Sequence, residues 1–136
     1  MILVDSSIWI TALSRAETRY TAKLRDTIST GRVAVADLVL LEILRGATSD
    51  VAAQKLLRAM AEFPVVQIGG RDLAIRAASH YRSLRALGIA VRSTIDLLLA
   101  TYCIEGQHTL LHGDRDFAHF TRFGLDAVSA GSAASP

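Results

Sequence analysis

The chain has 136 residues, a formal net charge of +2 and a single cysteine, which is enough sequence for one domain with its own core. No apolar run approaches the roughly 18 residues of a membrane helix, no export signal opens the chain, and Cys103 has no second cysteine for an internal disulfide. We therefore expect a soluble protein of the cytoplasm. Residues 1–128 are predicted to form the domain, and the small-residue stretch 129–136 to form a disordered tail.

Short apolar runs alternate with helical patterns along the chain. The first run, 2–4, is apolar throughout, which is typical of a strand buried on both faces of a parallel sheet. This order predicts an α/β fold, a three-layer α/β/α sandwich with a central, mainly parallel sheet. Further strands are predicted at 33–36, 64–66, 109–111 and 125–128, and helices directly after Asp5 and at 18–30, 38–44, 51–62, 71–87, 94–104 and 117–122.

Asp5 stands where the first predicted strand meets the first helix. Ser6 or Ser7 is predicted to cap that helix, because a serine oxygen there accepts a hydrogen bond from a free backbone N–H. Asp5 then lies at the carboxyl end of a central strand, the edge at which open α/β sheets bind ligands. The alternative is that Asp5 itself caps the helix.

Three further carboxylates share this position inside or beside an apolar run: Glu42, Asp96 and Asp114. Burying a lone ionised carboxylate costs several kcal/mol unless it is paired or bound to a metal ion. Glu42 could instead pair with Arg45, three residues on. Asp96 could stabilise the N-terminus of a helix as an acid in its first turn, and Asp114 could be an ordinary acid of a turn. One shared divalent cation would account for all four acids together.

A ligand set made of oxygen atoms favours hard cations, Mg²⁺ or Mn²⁺, over Zn²⁺. Such ions commonly act on phosphates, and two of them would stabilise the attacking and leaving oxygens of an in-line displacement and activate the attacking water. The sequence therefore predicts phosphodiester hydrolysis. The candidate catalytic residues and metal ligands are Asp5, Glu42, Asp96 and Asp114.

The loop after the fourth predicted strand carries further polar groups. Asp116 follows Asp114 by two residues, and in an extended segment both side chains point to the same side, so Asp116 is a candidate supporting acid. His112 is either a proton donor or a hydrogen-bonded residue at the end of a strand. The other histidines are predicted to lie at the surface: His80, His108 and His119.

Hydroxyl and basic side chains flank the acids. Thr94, two residues before Asp96, either supports a carboxylate by a hydrogen bond or caps the helix, as Ser93 also could. Arg92 and Arg115 are candidate phosphate contacts, and solvent exposure is the alternative. All but two of the 15 basic residues are arginines, which suits phosphate binding, although a genome rich in G and C produces the same bias.

Four segments, in this order, carry a resemblance to a known family: MILVDSSIWI, LLEILRG, STIDLLLA and LLHGDRDF. The chain resembles the PIN-domain endoribonucleases, specifically the VapC-type toxins of bacterial type II (VapBC) toxin–antitoxin pairs. The similarity runs over residues 1–128. No acidic position departs from the pattern, and Gly113 and the short tail are variations outside the ligands.

This resemblance implies an α/β/α PIN fold and Mg²⁺- or Mn²⁺-dependent cleavage of structured RNA, such as a tRNA or ribosomal RNA loop. It implies that Asp116 assists the site and that Ser6, after the first acid, helps to position it. It also implies a homodimer that a cognate VapB-type antitoxin keeps inactive by covering or entering the acidic pocket. The family's acidic roles fall on Asp5, Glu42, Asp96 and Asp114.

Three other functions are weaker interpretations. An aspartyl-phosphate phosphatase usually has Asp-x-Asp at the first strand, whereas this chain has Asp5-Ser6-Ser7. A phosphorylated signalling domain would require a lysine near the pocket, and Lys23 and Lys55 lie in helices far from the motifs. A catalytically inactive PIN-fold protein that binds RNA or a partner remains the open alternative.

Overall fold

Five parallel strands form one central sheet in the computed structural model, which describes residues 1–14 and 17–131. The order across the sheet is β3-β2-β1-β4-β5. The chain therefore builds outward from β1 to one side and then crosses to the other, and the two directions meet between β1 and β4. The strands are β1 (Ile2–Val4), β2 (Val33–Ala36), β3 (Val65–Val66), β4 (Thr109–His112) and β5 (Asp126–Ser129).

The central strand β1 pairs with a neighbour on each side. Leu3 stands opposite Ala34 of β2 and Leu110 of β4, and all three side chains are fully buried. This explains the unbroken apolar run at the start of the chain, since both faces of a central parallel strand are covered. The Asp5 N–H donates to the Leu111 carbonyl at 2.9 Å, so the ladder holds the backbone of Asp5 as well.

The helices of the described residues form two layers. Helices α1 to α4 lie between β1 and β3 in the chain and pack on one another, and the later helices, after β3, pack in a second group. This confirms the predicted α/β/α fold, with a sheet that is parallel throughout. The helices are α1 (Ser6–Leu13), α2 (Arg19–Ile28), α3 (Asp37–Arg45), α4 (Asp50–Met60), α5 (Arg71–Ala86), α6 (Thr94–Gly106) and a 3₁₀ helix (Arg115–Phe123).

Helix starts differ from the predicted ones in one informative place. Asp5 occupies the N-cap position of α1, and no side chain there accepts a hydrogen bond from the first turn. The prediction that Ser6 or Ser7 caps α1 is therefore wrong, because both serines already belong to the helix. At α6 the cap is Ser93, whose Oγ accepts the Asp96 N–H at 3.2 Å.

The end of the domain extends slightly beyond its predicted limit. Strand β5 includes Ser129, which pairs with His112, and Ala130 is buried with its N–H donating to the His112 carbonyl at 2.8 Å. Residues 129–131 thus continue the fold where the tail was expected to begin. The rest of that tail, 132–136, lies outside the described residues. None of the helices in the described parts of the chain has the length and apolar character needed to cross a membrane.

Candidate active site

A cleft of about 1170 Å³ opens beyond the carboxyl ends of β1 and β4, where the strand order changes direction. Its wall is built from the starts of α1, α2 and α6, from the middle of α3 and from the segment after β4. The fold therefore brings together acids that are far apart in the sequence. All five predicted acidic residues line this cleft: Asp5, Glu42, Asp96, Asp114 and Asp116.

Asp5 holds the deepest of these carboxylates, with 5% of its surface exposed. Its side chain does not cap α1, so the capping alternative is not realised. Instead, Ser7 Oγ donates to Asp5 Oδ2 at 2.7 Å. Sequence reasoning assigned the supporting hydroxyl to Ser6, which lines the cleft, but the hydrogen bond to Asp5 comes from Ser7.

Glu42 extends from the middle of α3 with only 16% of its side chain exposed. The ion pair with Arg45 that the spacing allowed is present, but it is 3.9 Å long and Arg45 is mostly in solvent, so it contributes little. The other carboxylate oxygen, Oε1, is buried and has no hydrogen-bond partner among the described residues. A buried oxygen of this kind is an available ligand for a cation or for the water around one.

Asp96 lies in the first turn of α6 and carries the strongest electrostatic signature of the site. Its pKa is raised from 3.8 to about 7, first by burial and then by the surrounding negative charge. Neutral Asp96 is thus favoured well above the usual pH range of a carboxyl group, because its charged form is repelled from several directions. The residues responsible are Asp5, Glu42, Asp114 and Asp116.

Asp114 and Asp116 lie on the outer part of the cleft. Asp114 is exposed, because the chain leaves the sheet directly after β4, so the inference of a buried acid does not hold for this residue. It caps the 3₁₀ helix, with its Oδ1 accepting the Asp116 N–H at 2.9 Å. Asp116 is already in that helix, and the predicted extended segment is absent, yet both side chains still line the cleft.

The acids fit a hydrated divalent cation. Within 1–14 and 17–131, no three carboxylate, imidazole or thiolate side chains are close enough to ligate one ion together. Mg²⁺ commonly keeps several waters and takes only one or two carboxylates directly, so this spacing is compatible with it. A nearby cation would give the buried free oxygen of Glu42 an electrostatic partner. It would also lower the raised pKa of Asp96 by offsetting the surrounding negative charge.

Basic and hydroxyl residues separate into those at the cleft and those outside it. Arg92 and Arg115 are exposed on its wall, which is compatible both with phosphate contact and with the alternative of simple solvent exposure. Thr94 is exposed and is not part of the wall. Its neighbour Ser93 lines the cleft instead and also caps α6. Tyr20 lines the cleft from α2, although nothing in its local sequence indicated this.

The histidines differ from their predicted positions. His119 was expected at the surface and lines the cleft from the 3₁₀ helix. His80 and His108 are half-buried, stacked on Phe123 and Tyr102. His112 is buried beside Phe117 and is not part of the cleft wall; burial lowers its pKa, with Asp5 and Asp114 acting in the opposite direction. This burial disfavours proton donation by His112, but its buried Nδ1 has no hydrogen-bond partner among the described residues, so the hydrogen-bonded alternative is not shown either.

Known proteins share both the sequence pattern and the fold. A family model described as the PIN domain matches residues 2–122. VapC ribonuclease Mb1587 of Mycobacterium bovis and Ribonuclease VapC11 of Mycobacterium tuberculosis are each 30% identical over 132 residues, covering 95% of this chain and 98% of the relative. The chain belongs to the VapC-type PIN-domain family. The resemblance inferred from the four motifs is thereby confirmed.

The structure of this PIN domain also resembles solved complexes. One is the structure of VapBC2 from Rickettsia felis bound to a DNA fragment from their promoter, with a TM-score of 0.73 and 18% identity, covering 95% of this chain and 98% of that one. At this identity the similarity establishes the shared fold. The predicted PIN-like sandwich is therefore confirmed independently of the motifs.

Proposed function

We propose that this PIN domain is an endoribonuclease toxin that hydrolyses phosphodiester bonds in structured RNA, such as a tRNA or ribosomal RNA loop, with Mg²⁺ or Mn²⁺ as cofactor. The observation that carries the proposal is the convergence of five carboxylates on one cleft, where burial and then the repulsion from the other four acids raise the pKa of Asp96 to about 7. Such a concentration of negative charge opposes binding of RNA unless a cation is present. The family and the names of the two mycobacterial ribonucleases give further support.

Each acidic residue has a role in this proposal that follows from its position. Asp5, Glu42, Asp96 and Asp114 would hold the cation directly or through water. A bound cation would supply activation of a water molecule and stabilisation of the charge that develops on the phosphate. Ser7 orients the Asp5 carboxylate, and Asp116 fixes the Asp114 side chain through its backbone N–H.

Arg92 and Arg115 are proposed to bind the RNA backbone. Both are exposed on the wall of the cleft, where a guanidinium can donate two hydrogen bonds to one phosphate. They are placed beside the acids, so a phosphate bound by either arginine would remain within the cleft. RNA choice would then depend on loop shape around these contacts.

The partners of this protein are also proposals. We infer a VapB-type antitoxin that covers the acidic cleft, and a homodimer as the form of the toxin. The fold is shared with the VapBC2 complex, and an acidic cleft is complementary to a basic segment of a partner.

Total bacterial RNA provides the direct test. The purified protein is incubated with Mg²⁺ or Mn²⁺, or with a chelator, and the new RNA ends are sequenced. We expect discrete cuts that need the cation and that disappear in Asp5→Asn, whereas Asp50→Asn, an exposed acid at the start of α4 and outside the cleft, leaves them unchanged. Absence of cuts from folded, antitoxin-free protein would favour the catalytically inactive, RNA- or partner-binding alternative.

Ser7→Ala is expected to lower kcat by about tenfold or more. The substitution removes the hydroxyl that donates to the buried Asp5 carboxylate, and a hydrogen bond to a charged group is worth about 1.5 kcal/mol or more. Ser6→Ala is the matched control, because it removes the same group from the adjacent residue. Initial rates on a defined RNA fragment measure both. A larger loss of kcat in Ser6→Ala than in Ser7→Ala would mean that Ser6, and not Ser7, supports the Asp5 carboxylate.

A further inference from the structure

We propose that Tyr20 is a positioning residue for Asp114, and that Gly113 lacks a side chain because Tyr20 occupies the space. This inference rests on the proposed function, since it assigns Asp114 a role in the site. Tyr20 is in the first turn of α2, and Gly113 directly precedes Asp114. The two residues are 93 positions apart and meet at the edge of the cleft.

The contact between Tyr20 and Gly113 combines a hydrogen bond with close packing. Tyr20 Oη donates to the Gly113 carbonyl at 3.2 Å. A Cβ built on Gly113 would lie 2.6 Å from Oη and 2.7 Å from Cζ of the same tyrosine. Side-chain carbons do not approach other atoms this closely, so even alanine would force the loop or the ring to move.

The backbone of Gly113 does not itself require glycine. Its φ is outside the left-handed region, unlike that of Gly124, which ends the 3₁₀ helix at φ +96°. Alanine would therefore be acceptable at position 113 if the tyrosine ring were absent. The reason for glycine at this position is the neighbouring side chain.

The segment that Tyr20 holds leads directly into the acidic group. After Gly113, the Asp114 side chain accepts the Asp116 N–H at 2.9 Å and the Asp114 carbonyl accepts the Phe117 N–H at 3.3 Å. These bonds fix Asp114 relative to the 3₁₀ helix, and the tyrosine fixes the residue before it relative to α2. Asp114 is exposed, so such backbone anchoring replaces the packing that a buried side chain would have.

The first turn of α2 is itself well anchored. Thr18 caps the helix by accepting the backbone N–H groups of Tyr20 and Thr21, at 3.2 and 3.4 Å. The neighbouring Arg19 donates from Nη1 to the Gly131 carbonyl at 2.8 Å, beyond the end of β5. Adjacent residues of one helix thus hold the segments that follow two neighbouring strands, which makes Tyr20 a rigid support.

The experiment is a double-mutant cycle with Tyr20→Leu and Gly113→Ala. Leucine keeps an apolar side chain at position 20 but lacks the ring and hydroxyl atoms that a Cβ at position 113 would meet. We expect Gly113→Ala to lower kcat by at least about tenfold in the wild-type background and less than about twofold in the Tyr20→Leu background, which is a strong coupling. Gly131→Ala is the control, because its Cβ would meet the same tyrosine at an ordinary 3.8 Å. Equal losses from Gly113→Ala in both backgrounds would overturn the proposal.

Tyr20→Phe tests the hydrogen bond alone. We expect kcat to fall about fivefold with KM for the RNA unchanged, as for the loss of one ordinary hydrogen bond. The backbone amide NMR signals of Asp114 and Asp116 should shift, whereas that of Glu42 on α3 should not. If the wild type cuts no RNA, the proposed function fails and these amide signals alone decide the positioning role. Unchanged Asp114 and Asp116 signals would overturn it.

Discussion

Asp96→Asn is expected to lower the rate of RNA cleavage by about a hundredfold to a thousandfold, the usual effect of removing one electrostatic group from an active site. The same substitution should stabilise the cation-free protein at pH 8. Asparagine has nearly the same volume as aspartate, but it has no charge for the neighbouring carboxylates to repel. Loss of activity together with gain of stability distinguishes a functional acid from a structural one.

The pH dependence of this effect follows from the raised pKa of Asp96. Folding raises that pKa from 3.8 to about 7, so the folded chain binds the proton more tightly than the unfolded chain. The stability contributed by protonated Asp96 is fully present below about pH 4 and is lost as the pH rises to about 7. The full shift corresponds to about 4 kcal/mol, and solvent screening of this partly exposed group reduces it to about 1 to 2 kcal/mol.

Urea unfolding of the cation-free protein at pH 5 and pH 8 measures this contribution. The free energy of unfolding of Asp96→Asn should change less between the two pH values than that of the wild type or of the Asp50→Asn control. Millimolar Mg²⁺ should raise the free energy of unfolding of the wild type at pH 8 by about 1 to 3 kcal/mol, and its Tm accordingly. The variant should gain less. Identical pH dependence in wild type and variant would contradict the electrostatic account of the cleft.

Phe117→Ala is expected to destabilise the domain by about 3 to 5 kcal/mol, which is a large part of the stability of an ordinary domain. Phe117 is fully buried in the 3₁₀ helix, and its ring lies 5.1 Å from that of His112. The substitution would leave a cavity directly beneath the segment that carries Asp114 and Asp116. Loss of cleavage should therefore accompany the loss of stability.

Phe117→Leu is the control for that variant, because it keeps most of the buried volume and should cost less than about 1.5 kcal/mol. Chemical denaturation of both variants, followed by the same RNA assay on the folded fraction, separates packing from positioning. A loss below about 1 kcal/mol for Phe117→Ala would mean that the neighbouring chain can fill the cavity.

The strands and the acids were accessible to sequence reasoning for one physical reason. Strands buried on both faces leave short, continuous apolar runs, and β1 and β2 have the predicted limits. Acids inside or next to such runs stand out, since burial of an unpaired charge is costly. Asp5, Glu42 and Asp96 were found in this way, and each lines the cleft.

The remaining features depend on contacts that no local pattern contains. Whether Ser6 or Ser7 meets Asp5 depends on the rotation of α1 about its own axis. The exposure of Asp114 depends on the direction in which the chain leaves β4. Tyr20 reaches Gly113 from 93 residues away, and only the assembled fold makes that distance short.

The central position of β1 in the sheet determines how early during translation the sheet can be completed. The first strand to leave the ribosome needs β4 as its second neighbour. Leu3 therefore lacks its partner Leu110 until β4 has been synthesised. Asp114, only a few residues after β4, is among the last groups of the cleft to be synthesised. A nascent chain that stops before β4 has a central strand paired on one side only, with β2, and lacks two of the five acidic residues of the cleft, Asp114 and Asp116. The cleft therefore forms only when translation of the domain is nearly complete.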